Sequence, residues 1–265
     1  MTNGRVLLDI AAGVAVMTLN HPATLNAFGA RLRADMTDAL DQVEAGPVRC
    51  LLITGAGRGF CSGANLNDPD RAPRDRNAEA RGEVQSDLQA WYNPTFLRLR
   101  ALKIPVVAAV NGIAAGAGMS LALSADIKIA ARSAAFLQAF ARIGLVPDCG
   151  ASFLLPRLIG VARAMELSLL AEPLAADTAL AWGMINAVVD DAALLTTAMA
   201  MARRLAAGPA SLGMIRQLYW QGLENGYAAQ LDLEARMQTD AGLTADHAEG
   251  VAAFRDKRPA CFAGR

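Results

Sequence analysis

Histidine is nearly missing from this chain: only His21 and His247 occur in 265 residues. A histidine-based metal site is thereby excluded, and a Ser-His-Asp triad would need one of the two beside Ser62 or Ser120. His21 stands before Pro22 in a turn and His247 opens a charged helix, so both read as surface residues, and Ser120 in GMSLA lacks the flanking glycines of a nucleophile elbow. No C-x-x-C pair joins Cys50, Cys61, Cys149 or Cys261, and free thiols in a reducing cytoplasm are expected. Charge of either sign is not in excess, with 25 basic and 25 acidic residues, so neither nucleic acid nor an anionic membrane is an expected partner. The richest apolar stretch is interrupted by Gly116, Gly118, Ser120, Ser124 and Asp126, short of a membrane span, and MTNGRVLLDI carries no secretory pattern. Aromatics make up 5%, which suits a chain of packed Ala/Leu helices. A phosphate-cradling Walker loop needs Gly-Lys-Ser/Thr, which does not occur.

What is present is organised around Val106 to Asp126. A β-branched apolar run bounded by Pro105 and Asn111-Gly112 predicts a strand buried on both faces. Gly112, Gly116 and Gly118 then punctuate a loop entering an apolar helix from about Ala117 to Ser124, an arrangement that aims backbone N–H groups at something anionic. Cys50 to Thr54 reads as a second buried strand running into Gly55-Ala56-Gly57-Arg58-Gly59-Phe60-Cys61-Ser62-Gly63-Ala64-Asn65-Leu66. Either loop alone fits a tight turn. The pair suggests two backbone donors converging on one oxygen. GAGRGF imitates part of a dinucleotide fingerprint, but its spacing is wrong and no acidic residue closes a second strand.

The rest of the pattern is an α/β core followed by helices. A hairpin is expected over Arg5 to Asn20, a helix from Gly29 to Glu44, helix over 87 to 103 with Trp91, Leu97 and Leu99 in the core, and a short strand from Ile127 to Ala130. Asn67 to Ser86 reads as a flap or a solvated helix start. Past Pro156 the candidates are helical, at 161–171, 176–182, 191–207, 210–224, 227–241 and 244–256. The expected division is an α/β core over 1–200 and a helical region over 201–265. One carboxylate is well placed for chemistry, Asp148 in Leu145-Val146-Pro147-Asp148-Cys149-Gly150. Partial desolvation would raise its basicity; equally, it could cap a helix over Ala151 to Leu155. Asp126, between a helix and a strand, reads as a turn residue.

GRGFCSGANL and AVNGIAAGAGMSLALSADIKIA resemble the two signature stretches of the crotonase, or enoyl-CoA hydratase/isomerase, superfamily, and the similarity runs from the hairpin to the tail FRDKRPACF. Within it, AFARIGLVPDCGASFLLPRLIGVARAMEL is most similar to 1,2-epoxyphenylacetyl-CoA isomerases and enoyl-CoA isomerases. The resemblance implies a right-handed superhelix of ββα units with a C-terminal helical region that builds a homotrimer or a dimer of trimers. It implies an oxyanion hole from the N–H groups of Ala64 and Ala117, although many relatives have glycine where Ala117 stands. Ser120 and Phe140 occupy the positions of the two glutamates of crotonase hydratases, while Asp148 matches the acidic residue of the isomerases. A coenzyme A thioester is then substrate, with no further cofactor and no metal. Coenzyme A would be held by Asn26 and Ala27 with Cys61, Ser62, Gly63, Ala64 and Leu66, and by Phe254 and Lys257 of an F-x-x-K-R pattern. The expected activity is acyl-CoA isomerisation; hydration, or acyl-CoA binding without turnover, are the alternatives.

Overall fold

A computed structural model describes residues 4–70 and 75–265. The chain opens with β1 (Val6–Ala11) and β2 (Val14–Leu19), an antiparallel hairpin with Ala11 opposite Val14. Its two-residue turn holds Ala12 at φ 50° and Gly13 at φ 78°, the paired left-handed conformation that matches the twist of the strands. Helix α1 (Ala30–Ala45) buries Leu32, Met36, Ala39, Leu40 and Val43, a stripe at helical spacing, toward the sheet. Strand β3 (Cys50–Gly55) follows, then β4 (Gly59–Cys61).

The stretch expected as a flap contains a short helix, α2 (Arg76–Ala80), capped by the Asp75 side chain on the N–H groups of Asn77 and Ala78; residues 71–74 lie outside the described residues. A π-helical turn at Leu88–Tyr92 runs into α3 (Asn93–Ala101). Leu99 is in the core as expected, but Leu97 is 63% exposed. The π-helical turn changes the residue spacing ahead of α3, so a stripe counted at 3.6 residues from Trp91 misplaces Leu97.

Next come β5 (Val106–Val110), β6 (Ile113–Ala115), α4 (Ala117–Leu123), β7 (Ile127–Ala131) and β8 (Ala135–Leu137). A 3₁₀ turn at Ala139–Ile143 leads to α5 (Ala151–Ile159), α6 (Val161–Leu170), β9 (Leu174–Ala175), α7 (Ala176–Ala181) and β10 (Ala187–Val189). Two sheets result, in the orders β1-β2-β3-β5-β7-β10 and β4-β6-β8-β9. Strands β3, β5 and β7 each hand over after a sharp turn to β4, β6 and β8, and each series is parallel. Strand, turn, strand, helix thus repeats three times, the ββα superhelix expected from the resemblance. Strands β3 and β5 are apolar throughout because both faces are covered.

Helix α8 (Leu194–Ala206) lays Ala198, Ala202 and Ala206 against β3 and β5. The division expected at residue 200 falls inside this helix, whose buried face belongs to the sheet. Helices α9 (Ser211–Gly222), α10 (Tyr227–Gly242) and α11 (Ala245–Asp256) bury little. Among the described residues no helix is long and apolar enough to cross a membrane.

Asp126 is structural, as its position suggested. It accepts from Val106 N at 2.7 Å, Arg216 Nε at 2.7 Å and Trp220 Nε1 at 2.9 Å. The Arg216 guanidinium also donates to the carbonyls of Leu99, Arg100 and Leu102 at 2.6–2.8 Å, closing the end of α3. Lysine keeps the charge but has no planar fork to serve four acceptors. Arg216→Lys is therefore expected to lower stability by about 1–3 kcal/mol, the scale for stranding buried acceptors, as read from the denaturation midpoint.

Candidate active site

Two glycine-rich strand exits meet above the carboxyl ends of β3 and β5. The first is stitched down by Asn26, fully buried at φ 59°. Its amide donates to Ala56 O at 3.0 Å and Gly59 O at 2.8 Å, and its Oδ1 accepts from His21 N at 2.8 Å. Beyond Cys61, Ser62 N donates to Leu25 O at 2.9 Å, Phe28 N to Gly63 O at 2.7 Å, and Asn65 N to Phe28 O at 3.2 Å. These bonds clamp both sides of Ala64. Gly63, at φ 91°, leaves no room for a side chain: a Cβ there would stand 2.8 Å from Ala115 O and 3.5 Å from Ala117 N.

The second exit turns at Gly116, φ 51°, so that Ala117 falls on the first helical position of α4 and carries its Cβ without strain. The departure from glycine at Ala117 is accommodated by its neighbour. Gly118 permits contact with the first loop, since a Cβ there would lie 2.1 Å from Cys61 O. Among the described residues, neither the Ala64 nor the Ala117 N–H has a hydrogen-bond acceptor.

One turn into α4, the buried Ser120 Oγ is 3.3 Å from Gly116 O and 3.2 Å from the backbone O of Asp148. Asp148 thereby sits beside the helix that starts at Ala117. Its side chain does not cap α5: the cap residue is Gly150, without a side-chain bond, and Ala151 N bonds the backbone carbonyl of Asp148 at 3.0 Å. Asp148 Oδ1 is instead sealed from solvent with no hydrogen-bond partner. Burial holds this carboxyl above its ordinary range, opposed by the Cys149 thiol. Cys149 at φ 52° and Gly150 at φ 82° make the reversal that turns the segment inward. Phe140 is buried with its ring 3.7 Å from where a Gly116 Cβ would stand. The two positions at which hydratases carry glutamates thus hold a hydroxyl spent on backbone carbonyls and a phenyl ring.

A residue that the sequence did not single out joins this group. Tyr92, 5% exposed, ends the π-helical turn with its ring 5.8 Å from Phe28 and 4.8 Å from Trp91, both edge-on. Burial pushes its phenol up, Arg33 pulls it down, and Cys149, Cys61 and Asp148 push it further up. Sequence offers little to flag it, because a tyrosine beside Trp91 in a helix reads as core.

Two cavities flank these groups. One of about 550 Å³ is lined by Ala27, Ser62, Ala64 and Leu66 with Arg5 and His21. The other, about 330 Å³, lies between Asn93, Phe96, Cys149, Phe153 and Trp220. Of the residues expected to hold coenzyme A, Asn26 and Cys61 have wholly buried side chains, and Asn26 is saturated by backbone. They and Gly63 build the loop rather than line the cleft. Phe254 and Lys257 are exposed and outside the larger cavity, with Phe254 lining a separate hollow with Pro209, Thr244 and Phe262. The tail is tied to the far end of β3, where Arg49 donates to Phe262 O and Gly208 O and Asp246 accepts from Ala263 N and Gly264 N. Within one chain the tail and the loop cleft are not brought together.

The family model for enoyl-CoA hydratase/isomerase matches residues 9–265. The 1,2-epoxyphenylacetyl-CoA isomerase of Escherichia coli is 48% identical, with 98% of each chain covered. A probable enoyl-CoA hydratase of Rhodobacter capsulatus is 43% identical over the whole of both chains. The crystal structure of an enoyl-CoA hydratase from Bacillus anthracis superposes with a TM-score of 0.88 at 28% identity, over 98% of this chain and 100% of that one.

Proposed function

Because the chain belongs to the enoyl-CoA hydratase/isomerase family, we propose that it is an acyl-CoA isomerase with one carboxylate as proton carrier. The substrate is a coenzyme A thioester, and no further cofactor takes part. Its carbonyl oxygen accepts from the N–H groups of Ala64 and Ala117. Asp148 removes a proton from the carbon next to the thioester, the electron pair moves into the carbonyl, and the enolate is held by the two donors. Asp148 then returns the proton two carbons along, so that a 3-enoyl thioester becomes its 2-enoyl isomer and the enzyme is regenerated. The same enolate and the same carboxylate would serve a ring-epoxidised phenylacetyl thioester, a reading favoured by the 48% identity to the Escherichia coli isomerase.

The observation that supports isomerisation over hydration is the pairing of a sealed, unpartnered Asp148 Oδ1 with Ser120 and Phe140 at the other two acid positions. Adding water requires one group to activate it and another to deliver a proton, and a single carboxylate suits transfer within the substrate. The test is to supply the enzyme with a 3-enoyl-CoA and, separately, its 2-enoyl isomer. Isomerisation should be fast and water addition slow; hydration as fast as isomerisation would overturn the reading. A homotrimer or dimer of trimers is part of the proposal. Exposed Ile215, Tyr219 and Leu223 on α9 support it, and Lys257 then serves a neighbour's cleft. A stable monomer by sedimentation at micromolar concentration would remove it.

A further inference from the structure

The Tyr92 hydroxyl has no role in the proton transfer derived above, yet its setting is that of a ligand contact. The ring is 95% buried, wedged edge-on between Phe28 and Trp91, and Phe28 is the residue whose backbone clamps Gly63 and Asn65 around Ala64. Its charged and titratable neighbours are Arg33, Cys149, Cys61 and Asp148. Arg33 stacks 5.8 Å from the ring and is paired with Asp87, so it leaves the hydroxyl alone. Among the described residues the hydroxyl has no hydrogen-bond partner, but it is not one of the sealed atoms. A phenol otherwise enclosed by protein therefore points its one polar atom into space that a ligand can enter. The π-helical turn ending at Tyr92, a device recurrent at functional sites, aims it there.

We propose that Tyr92 contacts the acyl group, donating a hydrogen bond to an oxygen on it, and that the acyl-CoA substrates are ones whose acyl part carries an ether-type acceptor oxygen. The inference rests on the acyl site proposed above and narrows its substrate class. A purely hydrocarbon acyl chain closing this site would leave the hydroxyl buried without a partner, a penalty that an acceptor oxygen removes. Sites built around such a donor discriminate strongly for the group that meets it. Tyr92 and Asp148 then divide the work: a neutral donor holds the substrate oxygen and an anionic base moves the proton.

The test uses two unreactive ligands of the same shape, cyclohexylacetyl-CoA and the oxanylacetyl-CoA analogues with one ring CH₂ replaced by oxygen next to, or one bond beyond, the attachment carbon. The wild type should bind the better ether about tenfold more tightly than the carbocycle. Tyr92→Phe, which keeps the ring and its packing, should bring the two within about twofold. No ether preference in the wild type, or a preference that survives Tyr92→Phe, would overturn the proposal. If Tyr92→Phe slows isomerisation of a plain 3-enoyl-CoA as severely as loss of Asp148, the residue serves the carboxylate instead, and the proposal also fails. Because neither ligand reacts, the binding ratio stands apart from turnover. An enzyme that keeps the ratio but isomerises nothing would defeat the isomerase reading alone.

Discussion

Asp148→Asn is expected to slow isomerisation of a 3-enoyl-CoA by about 10²–10⁴-fold, the contribution typical of a positioned general base, while leaving the fold intact. Asparagine keeps the shape and removes the proton acceptor. Stability should hold or rise slightly, for a reason that can be signed. The folded-state carboxyl titrates above its ordinary range because burial disfavours the anion. Between the unfolded and folded values the native state binds more protons, so stability falls as pH rises through that window. At neutral pH the buried anion is therefore a cost that asparagine lacks. Activity has the opposite dependence: it should be lost as pH falls through the raised value, because the base must be ionised. Since Asp148 makes no side-chain cap, no helix is weakened. A drop in melting temperature without loss of rate would mean that the carboxylate is structural.

Ala117→Pro is expected to remove one oxyanion donor outright and to cost about 2.7–4 kcal/mol of transition-state stabilisation, or about 10²–10³ in kcat, the scale of deleting one such hydrogen bond. Proline is tolerated at the first position of a helix, where the missing N–H bonds nothing within the helix. It follows Gly116, which has no Cβ to clash with the proline ring. Because Ala117 is only 3% exposed, circular dichroism must confirm that the variant folds. A folded variant with normal turnover would remove Ala117 from the hole, leaving Ala64 as the donor to examine.

The long buried strands and the helices of the tail were legible because each is long enough to show its period, as in Cys50–Gly55, Val106–Val110 and the stripe of α1. Strands β4, β6, β8, β9 and β10 are two or three residues long, shorter than one readable alternation, and the second sheet they form was not foreseen. The glycine exits and Asp148 were legible, since glycine and a carboxylate in an apolar run have few cheap explanations. The choice between base and cap for Asp148 required the structure, because it turns on which oxygen Ala151 N bonds. Asn26 and Cys61 were correctly placed in the loop but given the wrong task, as sequence does not distinguish a residue that lines a cleft from one that builds it. Tyr92 was hidden by the π-helical turn, whose spacing has no sequence signature.

The most direct test of the central claim, that Asp148 moves the proton of a backbone-stabilised enolate, needs no net reaction. Phenylacetyl-CoA, which has no double bond to shift, is incubated with enzyme in deuterium oxide, and the mass of its acyl group is followed. The account predicts that the wild type exchanges the hydrogens beside the thioester for deuterium and that Asp148→Asn, folded and still binding the ligand, exchanges them at least about a hundredfold more slowly. Exchange by Asp148→Asn at the wild-type rate would contradict it.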